Sequence, residues 1–237
     1  TMRPTEPREL GPVALTLCKS KLMSEKEHVV GASHEFHDPA YARWWAEMFT
    51  VTDPRRECFD LISSMIVRTD AKVLELGSGP GYLANHLLSR FRELRYTCAD
   101  YSQSMLTLSA EKLKEFPNAS FVHVDLLDPR WATTLDVDYD YIVSTWALHD
   151  LGSELAIKAV YVKAKRMLKE GGKFLNADFI KPDGIDKKFE SGRFCLDKHF
   201  AFLKEAGFSS ACSLKEFEID LNNPKSNNNY ACICAEA

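Results

Sequence analysis

No stretch of this 237-residue chain approaches the roughly 18 consecutive apolar residues that a membrane-crossing helix needs, and a mean hydropathy of -0.26 agrees. There is no excess of positive charge: a formal net charge of -4 gives no general attraction to nucleic-acid phosphates. The seven cysteines are odd in number and scattered, with neither a disulfide framework nor a CxxC metal motif. Cys98, Cys232 and Cys234 fall within apolar runs and are expected to be buried, which fits a reducing, cytoplasmic setting. His34-Glu35-Phe36-His37 lacks the two residues that a zincin helix needs between its glutamate and second histidine, so no metal site is expected there. No internal repeat occurs, low complexity is confined to a short asparagine cluster, and nothing specifies an oligomeric state.

What is present is a dense apolar fraction, 45% of residues, with strand and helix patterns alternating from about Ala71 to the end. One core is the simpler reading. Before it, residues 1–30 carry Pro4, Pro7 and Pro12 and little periodicity, and read as a flexible arm; Val13–Leu17 is too short for a secretory segment. Residues 31–70 hold two helical patterns. The first places Tyr41, Trp44, Trp45, Met48 and Phe49 at helical spacing; Asp53-Pro54 is expected to open the second by capping and by a proline in its first turn.

The most informative segment is Val73-Leu74-Glu75-Leu76-Gly77-Ser78-Gly79-Pro80-Gly81-Tyr82. Aliphatic residues around one acid predict a buried strand, and alternate glycines then force a tight turn into a helix over Tyr82–Phe91. Glycine lets a ligand approach the backbone, whose N–H groups and helix dipole favour an anionic group. A nucleotide-like ligand is implied. A dinucleotide fingerprint needs Gly-x-Gly-x-x-Gly, whereas here the third glycine, Gly81, comes one residue early. No tyrosine–lysine pair suited to hydride transfer is evident either.

Three further strands end on chemistry. Leu94–Asp100 is followed by Tyr101-Ser102-Gln103-Ser104-Met105-Leu106, with Asp100 placed to accept from ribose hydroxyls and Ser102 suited to cap the next helix. Ser120–Asp125 continues into Leu126. Tyr139–Thr145 runs into Trp146-Ala147-Leu148-His149. A helix over about Ser153–Lys169 presents Lys158, Lys163, Lys165, Arg166 and Lys169 as a solvated face beside an apolar stripe of Leu155, Ala159, Val162 and Leu168. Gly171-Gly172 stop it. A strand over Lys173–Phe179, a helix over Asp197–Ala206, and two antiparallel strands, Phe208–Ile219 and Tyr230–Ala235, joined by the turn Asn222–Asn229, complete the pattern.

Glu-x-Gly-x-Gly-x-Gly after an apolar strand, Asp-x-Ser-x-x-Met-Leu after the second, and Leu-Lys-Glu-Gly-Gly-Lys-Phe and Phe-Leu-Lys-Glu-Ala-Gly-Phe later resemble the class I S-adenosylmethionine (SAM) dependent methyltransferases of small-molecule type, over roughly Ala71 to Ala235. The resemblance implies an α/β, Rossmann-like, seven-stranded, mostly parallel sheet with helices on both faces, the last strand antiparallel, and an N-terminal helical lid. Residues 71–237 would form the SAM-binding core and 31–70 a substrate cap. It implies cofactor contacts from Glu75, Gly77, Ser78, Gly79, Gly81, Asp100, Tyr101, Met105, Asp125, Leu126 and Thr145, with Asp125 accepting from the adenine amino group. Tyr41, Trp45 and Trp146 would face the acceptor, although aromatic residues so spaced also suit packing against the sheet. His149 is the candidate base, or a histidine that holds its loop.

The implied function is methyl transfer from SAM, leaving S-adenosylhomocysteine (SAH), to a small-molecule acceptor whose methylated atom the motifs leave open. A protein or RNA methyltransferase of the same fold, or a non-catalytic SAM-binding scaffold, are the alternatives. Thr145-Trp146-Ala147-Leu148 replaces the Asn/Asp-Pro-Pro-aromatic segment of base-amino methylation, and the acidic metal set of catechol-type enzymes is not evident.

Overall fold

Val73, Leu74 and Leu76 are fully buried around Glu75, as a strand covered on both faces requires. The computed structural model describes residues 31, 33–48, 51–185, 191–217, 219–222 and 229–237. The N-terminal arm, Phe49 and most of the asparagine-rich turn lie outside the described residues. Strands β1 (Lys72–Leu76), β2 (Arg95–Asp100), β3 (Ala119–His123), β4 (Tyr139–Thr145), β5 (Leu168–Phe179), β6 (Ser210–Phe217) and β7 (Tyr230–Glu236) form one sheet in the order β3-β2-β1-β4-β5-β7-β6. Five strands pair in parallel, and β7 runs antiparallel to both of its neighbours.

Helices α1 (Pro39–Met48) and α2 (Asp53–Met65) precede the sheet; α3 (Tyr82–Arg90), α4 (Gln103–Lys112), α5 (Glu154–Met167) and α6 (Leu196–Glu205) cover it. Two apolar layers sit on opposite faces. One joins Phe59 and Ile62 of α2 with Leu83 and Leu87 of α3 and Leu106 of α4; the other joins Ile157, Val160 and Tyr161 of α5 with Phe202 and Leu203 of α6. The strand order reverses at β1, with β2 on one side and β4 on the other, so the crevice beyond the carboxyl end of β1 is where such folds hold ligands.

Several local expectations are corrected. Strand β3 ends at His123, leaving Asp125 in the following turn, where its Oδ1 accepts from the Leu127 N–H at 2.8 Å. Thr52, not Asp53, holds the N-cap position of α2, with no side-chain cap bond, and Asp53 falls in the first turn. The stripe of α5 that meets the sheet is Ile157, Val160, Tyr161, Ala164 and Met167; Leu155 is 79% exposed. Two adjacent 3–4 stripes were available on that helix, and the larger, more continuous one is buried. The glycine pair lies within β5 at an irregular start, where Tyr139 opposes Leu168 and Tyr141 opposes Lys173. The aromatic helix α1 packs chiefly on α4 and the 3-10 turn Glu35–His37, with Arg43 paired to Glu111 at 3.3 Å.

Candidate active site

Gly77, Gly79 and Gly81 all take positive φ, at 69°, 52° and 79°. They do so for different reasons. A Cβ on Gly77 would stand 2.3 Å from the Ala147 Cβ, and one on Gly81 would stand 2.5 Å from Ser109 Oγ. A Cβ on Gly79 would meet no protein atom within 4 Å. Gly77 therefore lets the first and fourth loops touch and Gly81 seats α3 against α4, while Gly79 leaves its backbone bare toward a cavity of about 680 Å³.

The cavity opens beyond the carboxyl ends of β1, β2 and β4. Asp100 stands at its edge with both oxygens engaged, Oδ2 accepting from the Gly79 N–H and Oδ1 from the Ser102 N–H, each at 2.8 Å. Those bonds tie the glycine loop to the tip of β2. Each oxygen keeps a lone pair for a hydroxyl donor. Burial raises the Asp100 pKa, and the two N–H groups oppose that shift. Ser102 Oγ caps α4 by accepting from the Met105 N–H at 3.1 Å, as expected, and also donates to the Phe36 carbonyl.

Glu75 is fully buried and lines the cavity floor. Burial pushes its pKa up to about 8, opposed by the Tyr96 hydroxyl, which donates to Oε2 at 2.8 Å, and reinforced by Asp100. Burial thus favours the protonated carboxyl in the absence of a cation.

At the other end, Trp146 takes φ 50°, rare for a bulky residue, and its N–H donates to the Ala177 carbonyl at 2.8 Å. This turn aims the indole toward Phe59 and Tyr230. It also leads into the 3-10 turn Leu148–Leu151 that carries His149. His149 Nδ1 lies 2.7 Å from Asp178 Oδ1, the His149 backbone N–H donates to Asp178 Oδ2 at 3.0 Å, and Nε2 lies 3.2 Å from Asp150 Oδ1. Burial lowers the imidazole pKa, but the Asp178 and Asp150 carboxylates outweigh it and hold it above the ordinary histidine value. Gly192 is packed so tightly on the His149 backbone that a Cβ would fall 1.7 Å from its carbonyl oxygen. That contact brings Arg193 to the cavity wall, over the Phe179 ring at 4.4 Å.

Of the residues singled out in the sequence, Glu75, Gly77, Ser78, Gly79, Asp100, Tyr101, Met105, Asp125, Leu126, Thr145, Trp146, Trp45 and His149 meet around this one cavity. Gly81 and Tyr41 do not line it. Gly81 serves the entry of α3, and Tyr41 packs with tilted rings on Phe36 and Trp44. Sequence reasoning missed Phe36, Arg55, Phe59, Asp150, Phe179 and Arg193, which join the wall. Phe36 lies in the segment set aside as a false zinc motif, and that segment is anchored by Ser102 Oγ and by Ser104 Oγ, which donates to the His37 carbonyl at 2.9 Å. Asp178, the one acid in the apolar second half of β5 and the partner of His149, was the readable signal.

The sheet order, the glycine loop after β1 and the acid at the tip of β2 define the class I fold of SAM-dependent methyltransferases. Residues 74–174 match the family model described as a methyltransferase domain. An uncharacterised methyltransferase of Bacillus mycoides is 33% identical over 137 residues, covering 56% of this chain and 60% of the relative. One from Bacillus cereus matches with the same identity and coverage, and the chain spans about 60% of the length of these curated relatives. Among solved structures, an O-methyltransferase family protein from Burkholderia thailandensis superposes with a TM-score of 0.68 at 16% identity, covering 94% of this chain and 67% of that one. Haemonchus contortus phosphoethanolamine N-methyltransferase 2 in complex with SAM gives 0.64 at 14%, covering 86% and 60%. Those likenesses are of fold.

Proposed function

We propose that this chain is a SAM-dependent methyltransferase acting on a small-molecule acceptor in the cytoplasm, with residues 31–70 capping a core of residues 71–237. The carrying observation is the glycine loop fastened to Asp100 at the switch point of the sheet, with Gly79 bare toward the cavity. An adenosyl ligand fits that cradle: Asp100 would take its ribose hydroxyls, Tyr101, Met105, Asp125 and Leu126 would bracket the base, and Glu75 with Gly77, Ser78 and Thr145 would face the amino-acid end. SAM, when bound, supplies a methyl group already activated on a sulfonium. The protein's part is then alignment and exclusion of water.

Phe36 and Trp45, 5.3 Å apart edge to face, support a cap role for the N-terminal segment because they cover the cavity from above α4. Trp146 would flank the acceptor, and Tyr41 would act from behind as a brace. With Nδ1 held by Asp178, neutral His149 would accept a proton at Nε2, and the imidazolium so formed would lie between two carboxylates. A cavity of this size suits a small acceptor, and the six cysteines among the described residues, all free of disulfides, suit a reducing compartment.

Calorimetric titration with SAM, SAH and NADH, repeated on Asp100→Ala, tests the proposal. Binding of both adenosyl ligands, weakened at least about tenfold in the variant, is the expected outcome. Binding of NADH alone, or of none of the three, overturns it.

A further inference from the structure

The charged side chains of α2 divide by what they face. Glu57 pairs with Lys215, and Asp60 lies 3.2 Å from His86 Nε2. Arg55, in the first turn, turns inward. It lines the cavity with Phe59, Tyr82 and Trp146, and its guanidinium carbon stands 4.8 Å from the centroid of the Trp146 ring. Among the described residues no carboxylate forms an ion pair with it. Burial pulls its pKa below the ordinary arginine value, with Tyr230 and Tyr82 opposing. Arginine nonetheless stays charged at any pH the protein meets, so this guanidinium has given up part of its hydration for a ring face alone.

Two further basic groups share this cavity. Arg193 lines the same end of the cavity, and His149 between its two carboxylates is biased toward the imidazolium. The acids nearest these groups are already engaged, Asp150 and Asp178 by His149 and Glu75 by the Tyr96 hydroxyl, whereas Asp100 and Asp125 belong to the segments that follow β2 and β3. Aromatic faces fill the remainder: Phe59, Trp146 and Phe179. A neutral or cationic acceptor would leave Arg55 without an anion in a partly desolvated wall. A planar carboxylate matches the guanidinium fork.

We propose that Arg55 recognises a carboxylate on the methyl acceptor, and that the acceptor is an organic acid with an apolar, ring-compatible body. This rests on the methyltransferase proposal. The methionine end of SAM also carries a carboxylate, so the same chemistry has two sources, which the experiment separates.

The full chain is loaded with SAH and titrated by calorimetry with 3-phenylpropionate and with 3-phenylpropionamide, which has nearly the same shape but no charge. The acid is expected to bind about tenfold or more tightly than the amide. Arg55→Gln removes that preference, Arg55→Lys keeps part of it, and both variants retain wild-type SAH affinity and wild-type thermal unfolding. Equal binding of acid and amide, binding of neither, or a preference that survives in Arg55→Gln overturns the proposal. So does a tenfold loss of SAH affinity in Arg55→Gln with 5′-methylthioadenosine, which lacks the carboxylate, unaffected, because that result gives Arg55 to the cofactor. Failure of the wild-type chain to bind SAH overturns the methyltransferase proposal itself; SAH binding without acid preference overturns only this one.

Discussion

His149 is held at both ring nitrogens by carboxylates, Asp178 at 2.7 Å from Nδ1 and Asp150 at 3.2 Å from Nε2. A carboxylate cannot donate, so the Nε2 contact is a contact of the imidazolium, and the pair of acids explains why the group titrates above its ordinary value despite burial. If neutral His149 is the base, turnover rises with pH through that raised pKa. Asp178→Asn removes the larger of the two carboxylate contributions, so the acid limb of the kcat profile moves to lower pH. His149→Ala lowers kcat by about 10²-fold or more without weakening SAH binding. A pH–rate profile that does not move in Asp178→Asn would assign His149 to loop structure alone.

Glu75 makes a second pH prediction with the opposite consequence for the fold. Its folded pKa of about 8 lies above the ordinary value of 4.5, so between those limits the folded chain holds more protons than the unfolded one and stability falls as pH rises. The slope from this one group is about 1.4 kcal/mol per pH unit inside the window. Glu75→Gln keeps the Tyr96 contact geometry without the ionisation and should unfold at a higher temperature than wild type at pH 8, with the two converging near pH 5. A cationic ligand beside Glu75 favours its ionised form, so SAM binding near pH 7 should release protons, seen as a dependence of the calorimetric enthalpy on buffer ionisation heat. A variant that melts in parallel with wild type across this range would show that the carboxyl is already ionised.

Substitutions in the glycine loop separate folding from binding. Gly77→Ala drives a methyl against Ala147 and should destabilise the whole domain by several degrees or more in thermal unfolding. Gly79→Ala meets no protein atom and bears only the cost of a positive φ, about 1 kcal/mol. Its methyl group faces the ligand space. Gly79→Ala should therefore remain folded and lose SAH affinity at least tenfold, as read by calorimetry beside a melting curve; a variant that binds normally would place the ligand elsewhere.

The core and the half of the cavity built by the loops after β1 and β2 were legible because they rest on local chemistry. Alternate glycines after an apolar run, an acid ending β2 and a serine ahead of α4 each signal in their own neighbourhood. The other half was not, because its residues converge from distant segments: Arg55 from α2, Phe179 from the end of β5, and Arg193 through the close approach of Gly192 to His149. On α5, two neighbouring stripes have helical spacing, and only packing of Tyr161 on Phe174, with ring centroids 5.2 Å apart, decides which is buried. Asp125 lies past the end of β3 because its side chain closes a turn on Leu127 instead of extending the strand.

Ser102 joins the cap to the core through a single hydroxyl, which accepts from the Met105 N–H of α4 and donates to the Phe36 carbonyl. Ser102→Ala removes both bonds. Loss of the helix cap alone costs about 1 kcal/mol, and loss of the second bond releases the 3-10 turn that carries Phe36 toward Trp45. Ser104→Ala is the control, since Ser104 binds the adjacent His37 carbonyl but caps nothing. Amide hydrogen exchange over residues 33–48 should accelerate in both variants, whereas the amides of Met105 and Leu106 should accelerate only in Ser102→Ala. If the N-terminal segment covers the ligand, bound SAH should slow exchange over residues 33–48 in wild type and slow it less in either variant. Equal exchange with and without SAH in wild type would remove the cap role from this segment and leave it as packing on α4.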